Sequence, residues 1–404
     1  MGIELCLPCA LVTMWSSTVR AGVNVMAASK RRVYGHSCYR SSAIASTRVR
    51  LRVMRDSPYC RAVDSPPEAL VRDGRFCFGT FNEPFRIVNP EDASRPLGAA
   101  MPRFVNRFRL KEWEAFQLGN DDYFLVGAVY NAKALGLVQL AIVHKHTGRK
   151  WLYEKQVPSW SLQVASGLYS SRSEYRSRGL TLIIRNQLER NRFTVEVDIA
   201  PRGEMPRVRG AVTAHHTTEP IVICQPFGDN RALYSHKALM PAEGKLEVGA
   251  ETLAFAQARS FMVVDDHKGY YPFPMKYDWV TAAGFAPDGA LVGFNLTDNQ
   301  VQNHDLYNEN CLWHDGTMQV LPPVRITRPN GVYAPWQIKD THGMVELSFT
   351  PKVKNEVMIN ILGVLGSDYY GPYGDFEGRI RRADGSDIDF TGFYGMGEQK
   401  MVRI

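Results

Sequence analysis

The sequence predicts an all-β protein of two antiparallel β-barrel or sandwich units in tandem, and three observations carry that expectation. Four Asp-Gly pairs, Asp73-Gly74, Asp288-Gly289, Asp315-Gly316 and Asp384-Gly385, sit near runs of strand formers, and Asp-Gly tolerates the positive φ of a type I′ hairpin turn. Runs of strand length with β-branched or alternating character recur along the chain. Little of it sustains the 3.6-residue apolar period of a helix.

In chain order, Arg109–Leu118 is the best helical stretch, although its aromatic content suits a strand equally well. His146-Thr147-Gly148-Arg149 reads as a turn between Leu135–His144 and Lys150–Val157. Leu180–Ile184 and Phe193–Ile199 read as strands, Glu243-Gly244 as a turn ahead of Lys245–Val248, and Val345–Thr350 and Glu377–Ile380 as strands again. Antiparallel strands joined by tight turns close into barrels or sandwiches, which removes exposed edges. About eight strands enclose room for one small ligand. The expected organisation is a basic tail over residues 1–62, a first unit over 63–235 and a second over 236–404, with no exact internal repeat.

The charge lies in the tail. Of 404 residues, 48 are Lys or Arg and 41 are Asp or Glu. Residues 1–60 hold nine of the basic ones and two of the acidic ones, leaving 39 of each in the body. A neutral body argues against nucleic acid as a partner, because displacing phosphate counterions takes a net basic surface. No apolar run reaches the roughly 18 residues of a membrane-spanning helix.

The tail is Arg- and Ser-rich and poor in acids, as in an organelle-targeting segment, while Glu4 ahead of the apolar Leu5–Trp15 does not suit a secretory signal. It reads as an upstream extension of the reading frame, as a targeting segment or as a basic arm, and the expected location is cytoplasmic unless the tail directs the chain to an organelle. Cys6-Leu7-Pro8-Cys9 has C-x-x-C spacing but no second ligand pair follows. Cys77, Cys224 and Cys311 lie in apolar segments and read as free thiols of a reducing compartment.

Two clusters carry candidate chemistry. Asp265, Asp266 and His267 precede the aromatic, Pro-rich Tyr270-Tyr271-Pro272-Phe273-Pro274 and Tyr277-Asp278-Trp279. A histidine beside carboxylates can form an acid–base pair, on what reads as a loop at a barrel mouth. Period-2 counting puts Val292, Phe294 and Leu296 on one face and Asn295 on the other, and gathers Tyr307, Glu309, Cys311 and Trp313 on one face. A carboxyl group among such neighbours is either a desolvated acid or base or a structural carboxylate paired across the sheet. Asp266, His267 and Glu309 are therefore the candidate proton-transfer residues, and His236, Tyr271, Trp279, Asn295, Asn310 and Trp313 the candidate ligand-binding ones.

His144 and His146 have metal-ligand spacing but flank a turn without a third ligand nearby. G-x-x-x-x-G-K-[ST], H-E-x-x-H and G-x-S-x-G are absent from the sequence, which argues against a nucleotide hydrolase, a zinc protease of that type or an α/β-hydrolase. No metal site and no cofactor is expected.

An ordered series of landmarks resembles a bacterial family catalogued as domain of unknown function 2804. It runs through His236-Lys237, Leu239–Gly244, Val264-Asp265-Asp266, Tyr271-Pro272, Trp279, Gly293–Leu296, Glu309-Asn310, Asp315-Gly316, Gly374–Gly378, Gly392 and Glu398. The resemblance extends from about Asp73 to the C-terminus and is strongest between His236 and Gly316. Lys268 stands where that family tends to have arginine, so a planar guanidinium clamp is not expected there. At fold level the family is similar to the carotenoid hydratase-like proteins, which implies two lipocalin-like units that handle apolar small molecules. The expected function is the handling of a lipophilic small molecule in a barrel cavity, either as a cofactor-free hydratase, isomerase or cyclase or as a carrier, against a structural or interaction role. Oligomeric state is not legible.

Overall fold

The computed structural model describes residues 57–361 and 365–403. Cys6-Leu7-Pro8-Cys9, Cys38 and the basic residues of the tail lie outside the described residues.

Two antiparallel sheets dominate. The first runs, in hydrogen-bonded order, Lys150–Val157, Gly136–His144, Tyr123–Asn131, Lys111–Gly119, Phe261–Gly269, Arg231–Val248, Val208–His215, Arg192–Ile199, Leu180–Gln187, Ser171–Ser177 and Leu162–Gln163. Strands from both ends of that order share one cluster, in which Leu125 and Val138 join Leu182 and Val195. The sheet is thus curled into a nearly closed barrel filled with its own side chains. The second sheet runs Thr317–Val320, Cys311–His314, Leu291–Asn299, Met275–Phe285, Phe393–Arg403, Tyr373–Arg381, Val345–Val353, Trp336–Asp340 and Val324–Thr327. It forms a half-barrel around Phe294, Trp336, Phe349 and Phe376.

Both sheets belong to one compact unit. Where the two sheets meet, period-2 alternation gives a strand one face toward its own barrel and one toward the other sheet. Met262 and Val264 point into the first barrel, while Phe261 and Val263 join Tyr277, Trp279, Trp313 and Met396 in a cluster between the sheets. Among the described residues no helix is long and apolar enough to cross a membrane.

The expected all-β architecture of two antiparallel units in tandem is what the chain adopts. Asp73-Gly74 and Asp315-Gly316 form two-residue turns with positive φ at both positions. Arg109–Leu118, which suited a helix or a strand, is strand from Lys111 onward (Lys111–Gly119), and a seven-residue helix, Arg103–Arg109, lies ahead of it. Asp265, Asp266 and His267, expected on a loop, lie on the strand Phe261–Gly269, and only the run from Tyr270 to Pro274 is loop. Glu243-Gly244 is likewise no turn: Arg231–Val248 is one 18-residue strand, and position 235/236 falls inside it.

Glycine lets that strand lie close against its neighbour. Gly244 has φ +142° and Gly210, on the adjacent strand, +147°; a Cβ on Gly244 would lie 2.3 Å from Ala211 O, and one on Gly210 would lie 2.2 Å from Lys245 O. No side chain fits against a neighbouring carbonyl at that range, and the φ itself disfavours L residues. Gly244→Val is therefore expected to destabilise the protein by about 2–4 kcal/mol, read as a lowered midpoint in urea; an unchanged midpoint would mean that the close approach needs no glycine.

Candidate functional site

The register of three neighbouring strands assembles the site. Arg231–Val248, Phe261–Gly269 and Lys111–Gly119 align Lys237, Asp265 and Ala115 in one row, with Ser235, His267 and Trp113 in the next on the same face. This face looks toward the second sheet, which supplies Tyr277, Trp279 and Glu309.

A buried charged network results. Lys237 and Glu309 are fully or almost fully buried and form an ion pair, with Asp265 Oδ1 3.7 Å from the Lys237 ammonium. The other Glu309 oxygen accepts a hydrogen bond from the Tyr277 hydroxyl at 2.5 Å. Asn295 Nδ2 donates to Glu309 O at 2.7 Å, while Asn295 Oδ1 accepts from the Trp279 indole at 2.6 Å. His267 Nε2 lies 2.9 Å from Ser235 Oγ and 2.7 Å from Asp265 Oδ1, the latter a charge contact off the hydrogen-bonding direction. Its ring is stacked on Trp113 at 4.5 Å, and Trp113 stacks in turn on Tyr271 at 5.6 Å.

In front of this network an apolar hollow of about 230 Å³ lies between the sheets. Ala115 and Ala128 are cross-strand partners, and their small side chains leave the space that larger residues would fill. Trp113, Tyr130, Tyr277, Trp279 and Tyr369 form its aromatic walls, and Asp265 and Glu398 are the two carboxylates that line it. The expectation of a cavity inside a barrel is thereby corrected, because the first barrel is packed with core side chains and this hollow lies between the units.

The two lining carboxyl groups are driven apart. Burial alone would raise Asp265, but the His267 and Lys237 charges outweigh it and hold the group below the usual aspartate range. Burial raises Glu398 above the usual glutamate range, and Lys400 and a Tyr369 hydrogen bond offset this only in part. Burial lowers Lys237, yet Asp265 and Glu309 more than compensate and the ammonium is held above its ordinary value. Burial, together with Glu309, keeps the Tyr277 phenol protonated.

The opposite face of the same strands carries a second row, His236, Asp266 and Glu114, pointing into the first barrel. Asp266 pairs with Lys268 at 2.5 Å, and Glu114 accepts hydrogen bonds from Ser173 and, at 3.1 Å, from Asn186. Burial, reinforced by Asp266, pushes the Glu114 carboxyl up to about 8. Burial also holds His236 well below the usual histidine range.

The sequence candidates therefore divide. His267, Glu309, Tyr271, Trp279, Asn295 and Trp313 gather on the side between the sheets, where Trp313 Nε1 donates to Glu219 O at 3.0 Å. Asp266 and His236 face the barrel interior, because neighbours in a strand point to opposite sides. Asn310 lies behind Glu309 as a backbone clamp, accepting from Thr297 N at 2.7 Å and donating to Pro322 O at 2.9 Å. Lys237, Trp113 and Glu398 complete the site and were not among the candidates, while Asp265 was in a candidate cluster from which Asp266 was chosen instead; reading Phe261–Gly269 as a strand would have put Asp265 with His267 at i and i+2. Arg61, which composition assigned to the tail, is buried and reaches Asn308, Asn310 O at 3.4 Å and Leu321 O at 3.3 Å. Among the described residues no group of three His, Cys, Asp or Glu could hold a metal ion.

The family described as "Domain of unknown function (DUF2804)" matches residues 61–404, and the chain belongs to it. No curated protein matches. Among solved structures, kievitone hydratase from Nectria haematococca is similar at 12% identity and a TM-score of 0.48, over 72% of this chain and 88% of that one. An AttH-type protein from Nitrosomonas europaea is similar at 12% identity and a TM-score of 0.39, over 84% and 98%.

Two outcomes test the electrostatics. Lys237→Met strands Glu309 without its cation and should cost about 3–5 kcal/mol, whereas Lys237→Met combined with Glu309→Leu should recover much of that; denaturant midpoints that fall equally in the single and double variants would contradict the pairing. The raised Glu114 pKa makes the native state the better proton binder, so its contribution to stability is full below the ordinary value of 4.5 and is lost as pH rises through about 8. The melting temperature should drop across that window, and Glu114→Gln should flatten the drop.

Proposed function

We propose that the protein binds an apolar small molecule in the hollow between its two units and exchanges protons with it through Asp265 and Glu398. One observation carries the reading: an aromatic-walled hollow whose two carboxyl groups are held on opposite sides of their ordinary ranges. Two carboxyl groups whose environments separate their pKa values are matched to the roles of base and acid. Asp265, held below the usual aspartate range by the His267 and Lys237 charges, takes a proton from a ligand carbon or water; Glu398, raised above the usual glutamate range by burial, is the proton donor that returns one. Addition of water to a double bond, double-bond migration and ring closure by proton transfer all need this pair of groups.

The other candidates support the pair. Glu309 has both oxygens engaged, by Lys237 and Tyr277, so its part is to hold Lys237 against Asp265. His267 orients Asp265, and Tyr271 backs the Trp113 wall. Asp266 and His236 take no part on the ligand side. Free thiols at Cys224 and Cys311 suit a reducing, cytoplasmic location.

Gentle purification of the chain, organic extraction and mass spectrometry should yield a stoichiometric apolar compound, and Ala128→Trp, which fills the hollow, should yield none. An empty wild-type protein, or equal yields from both, contradicts the reading. With that compound in hand, Asp265→Asn and Glu398→Gln should lower turnover by roughly 10²–10⁴-fold while retaining it; a wild-type protein that retains the compound unchanged is a carrier.

A further inference from the structure

The large aromatic side chains that the described residues expose are Phe104, Phe108, Trp160 and Phe273, and all four emerge at one end of the first sheet. That end is where Lys111–Gly119 and Gly136–His144 begin and where Tyr123–Asn131, Lys150–Val157 and Phe261–Gly269 finish. Phe104 and Phe108 precede the first of these strands, Trp160 follows Val157 and Phe273 follows Gly269. The lining of the hollow reaches the same end, at Ala132, Ala134, Leu135 and Gly136. A smaller recess edged by Arg109, Lys111 and Pro272 shares Trp113, Tyr130, Lys400 and Val402 with it.

The helix Arg103–Arg109 is inverted for a soluble protein. None of its residues is buried, and Phe104 and Phe108, one turn apart on one face, are 72% and 49% exposed. The segment is basic: Ala93–Lys111 contains Arg95, Arg103, Arg107, Arg109 and Lys111 and no acidic residue, with Arg107 paired to Glu91 and Lys111 buried beneath the helix end. The Lys111 ammonium sits 5.1 Å over the Phe108 ring, and the Arg109 guanidinium lies 5.9 Å from that of Phe273. Trp160 is 85% exposed on the same rim, where Asn131 Nδ2 donates to Ser159 O at 3.3 Å.

We propose that this aromatic and basic rim docks on the surface of an anionic lipid bilayer, so that an apolar ligand passes between the membrane and the hollow without crossing water. Aromatic side chains at the water–lipid boundary with cations beside them are the chemistry of an interfacial anchor, and a patch of exposed large apolar groups on a folded domain marks a contact surface. The purpose assigned to the docking rests on the proposed function; the docking itself does not.

The test is co-sedimentation of the full chain with phosphatidylcholine vesicles with and without phosphatidylserine. Partition to the anionic vesicles should exceed that to the neutral ones by at least about tenfold, and Phe104→Ser with Phe108→Ser should lower it by about tenfold or more with an unchanged melting temperature. Brominated lipid chains should quench wild-type tryptophan fluorescence, and Trp160→Phe should remove much of that quenching. A double variant that binds like the wild type overturns the proposal, as does a wild-type chain indifferent to anionic vesicles. So does a wild-type chain whose mass rises with concentration while the double variant stays monomeric, since the rim then meets a second copy. Vesicle binding by a chain whose hollow yields no compound on extraction upholds the docking and removes the ligand reading; a retained compound without vesicle binding does the reverse.

Discussion

A lysine and a glutamate buried between two sheets must neutralise each other where they sit, and the Lys237–Glu309 pair is the constraint on which the joining of the two units depends. Lys237 belongs to the first sheet and Glu309 leads into a strand of the second. Desolvating either alone costs several kcal/mol, so the sheets meet in the register that brings both together. The remaining polar groups follow from that meeting. Tyr277 takes the other Glu309 oxygen, Asn295 takes its backbone carbonyl, and Trp279 is fixed by Asn295 in turn. Lys237, Glu309, Tyr277, Asn295 and Trp279 are thus linked in one network, and the Trp279 ring lies 5.5 Å from the Lys237 ammonium.

The same pair sets the character of the hollow. Lys237 faces Asp265 as well as Glu309, and its charge joins that of His267 in holding a largely buried aspartate below its usual range beside apolar walls. Glu398 responds mainly to burial. The space itself has a simpler origin in the alanines at 115 and 128, which lie side by side where neighbouring pairs are Trp113 with Tyr130 and Gln117 with Val126. Aromatic walls, a small-residue floor and two carboxyl groups of opposite tendency thus arise from the faces of only a few strands.

Much of the fold was legible because its signals are local. Asp-Gly turns and period-2 runs depend on neighbours in sequence, and Lys150–Val157 and Phe193–Ile199 were readable from them. What was not legible depends on contacts across the sheet. Gly244 looked like a turn residue, yet it accommodates a carbonyl of the strand beside it. The run Asp265-Asp266-His267 looked like a loop because three polar residues in a row break the alternation of a half-buried strand. In a strand buried on both faces polar residues can serve both sides, so Asp266 turns to Lys268 in one barrel while Asp265 turns to Lys237 between the sheets. Glu309 was recognisable as a carboxyl group among apolar neighbours, but its partner, 72 residues away in the chain, was not. Arg61 was masked by the composition of the tail that precedes it.

The most direct test of this account is a pH titration of the carboxyl groups by NMR of isotope-labelled aspartate and glutamate side chains, with Asp265→Asn and Glu398→Gln assigning the two signals. The account requires Asp265 to stay ionised below the ordinary aspartate range, Glu398 to stay protonated above the ordinary glutamate range, and Lys237→Met to move Asp265 upward. Two signals that titrate together in the ordinary carboxylate range, indifferent to Lys237, would contradict it.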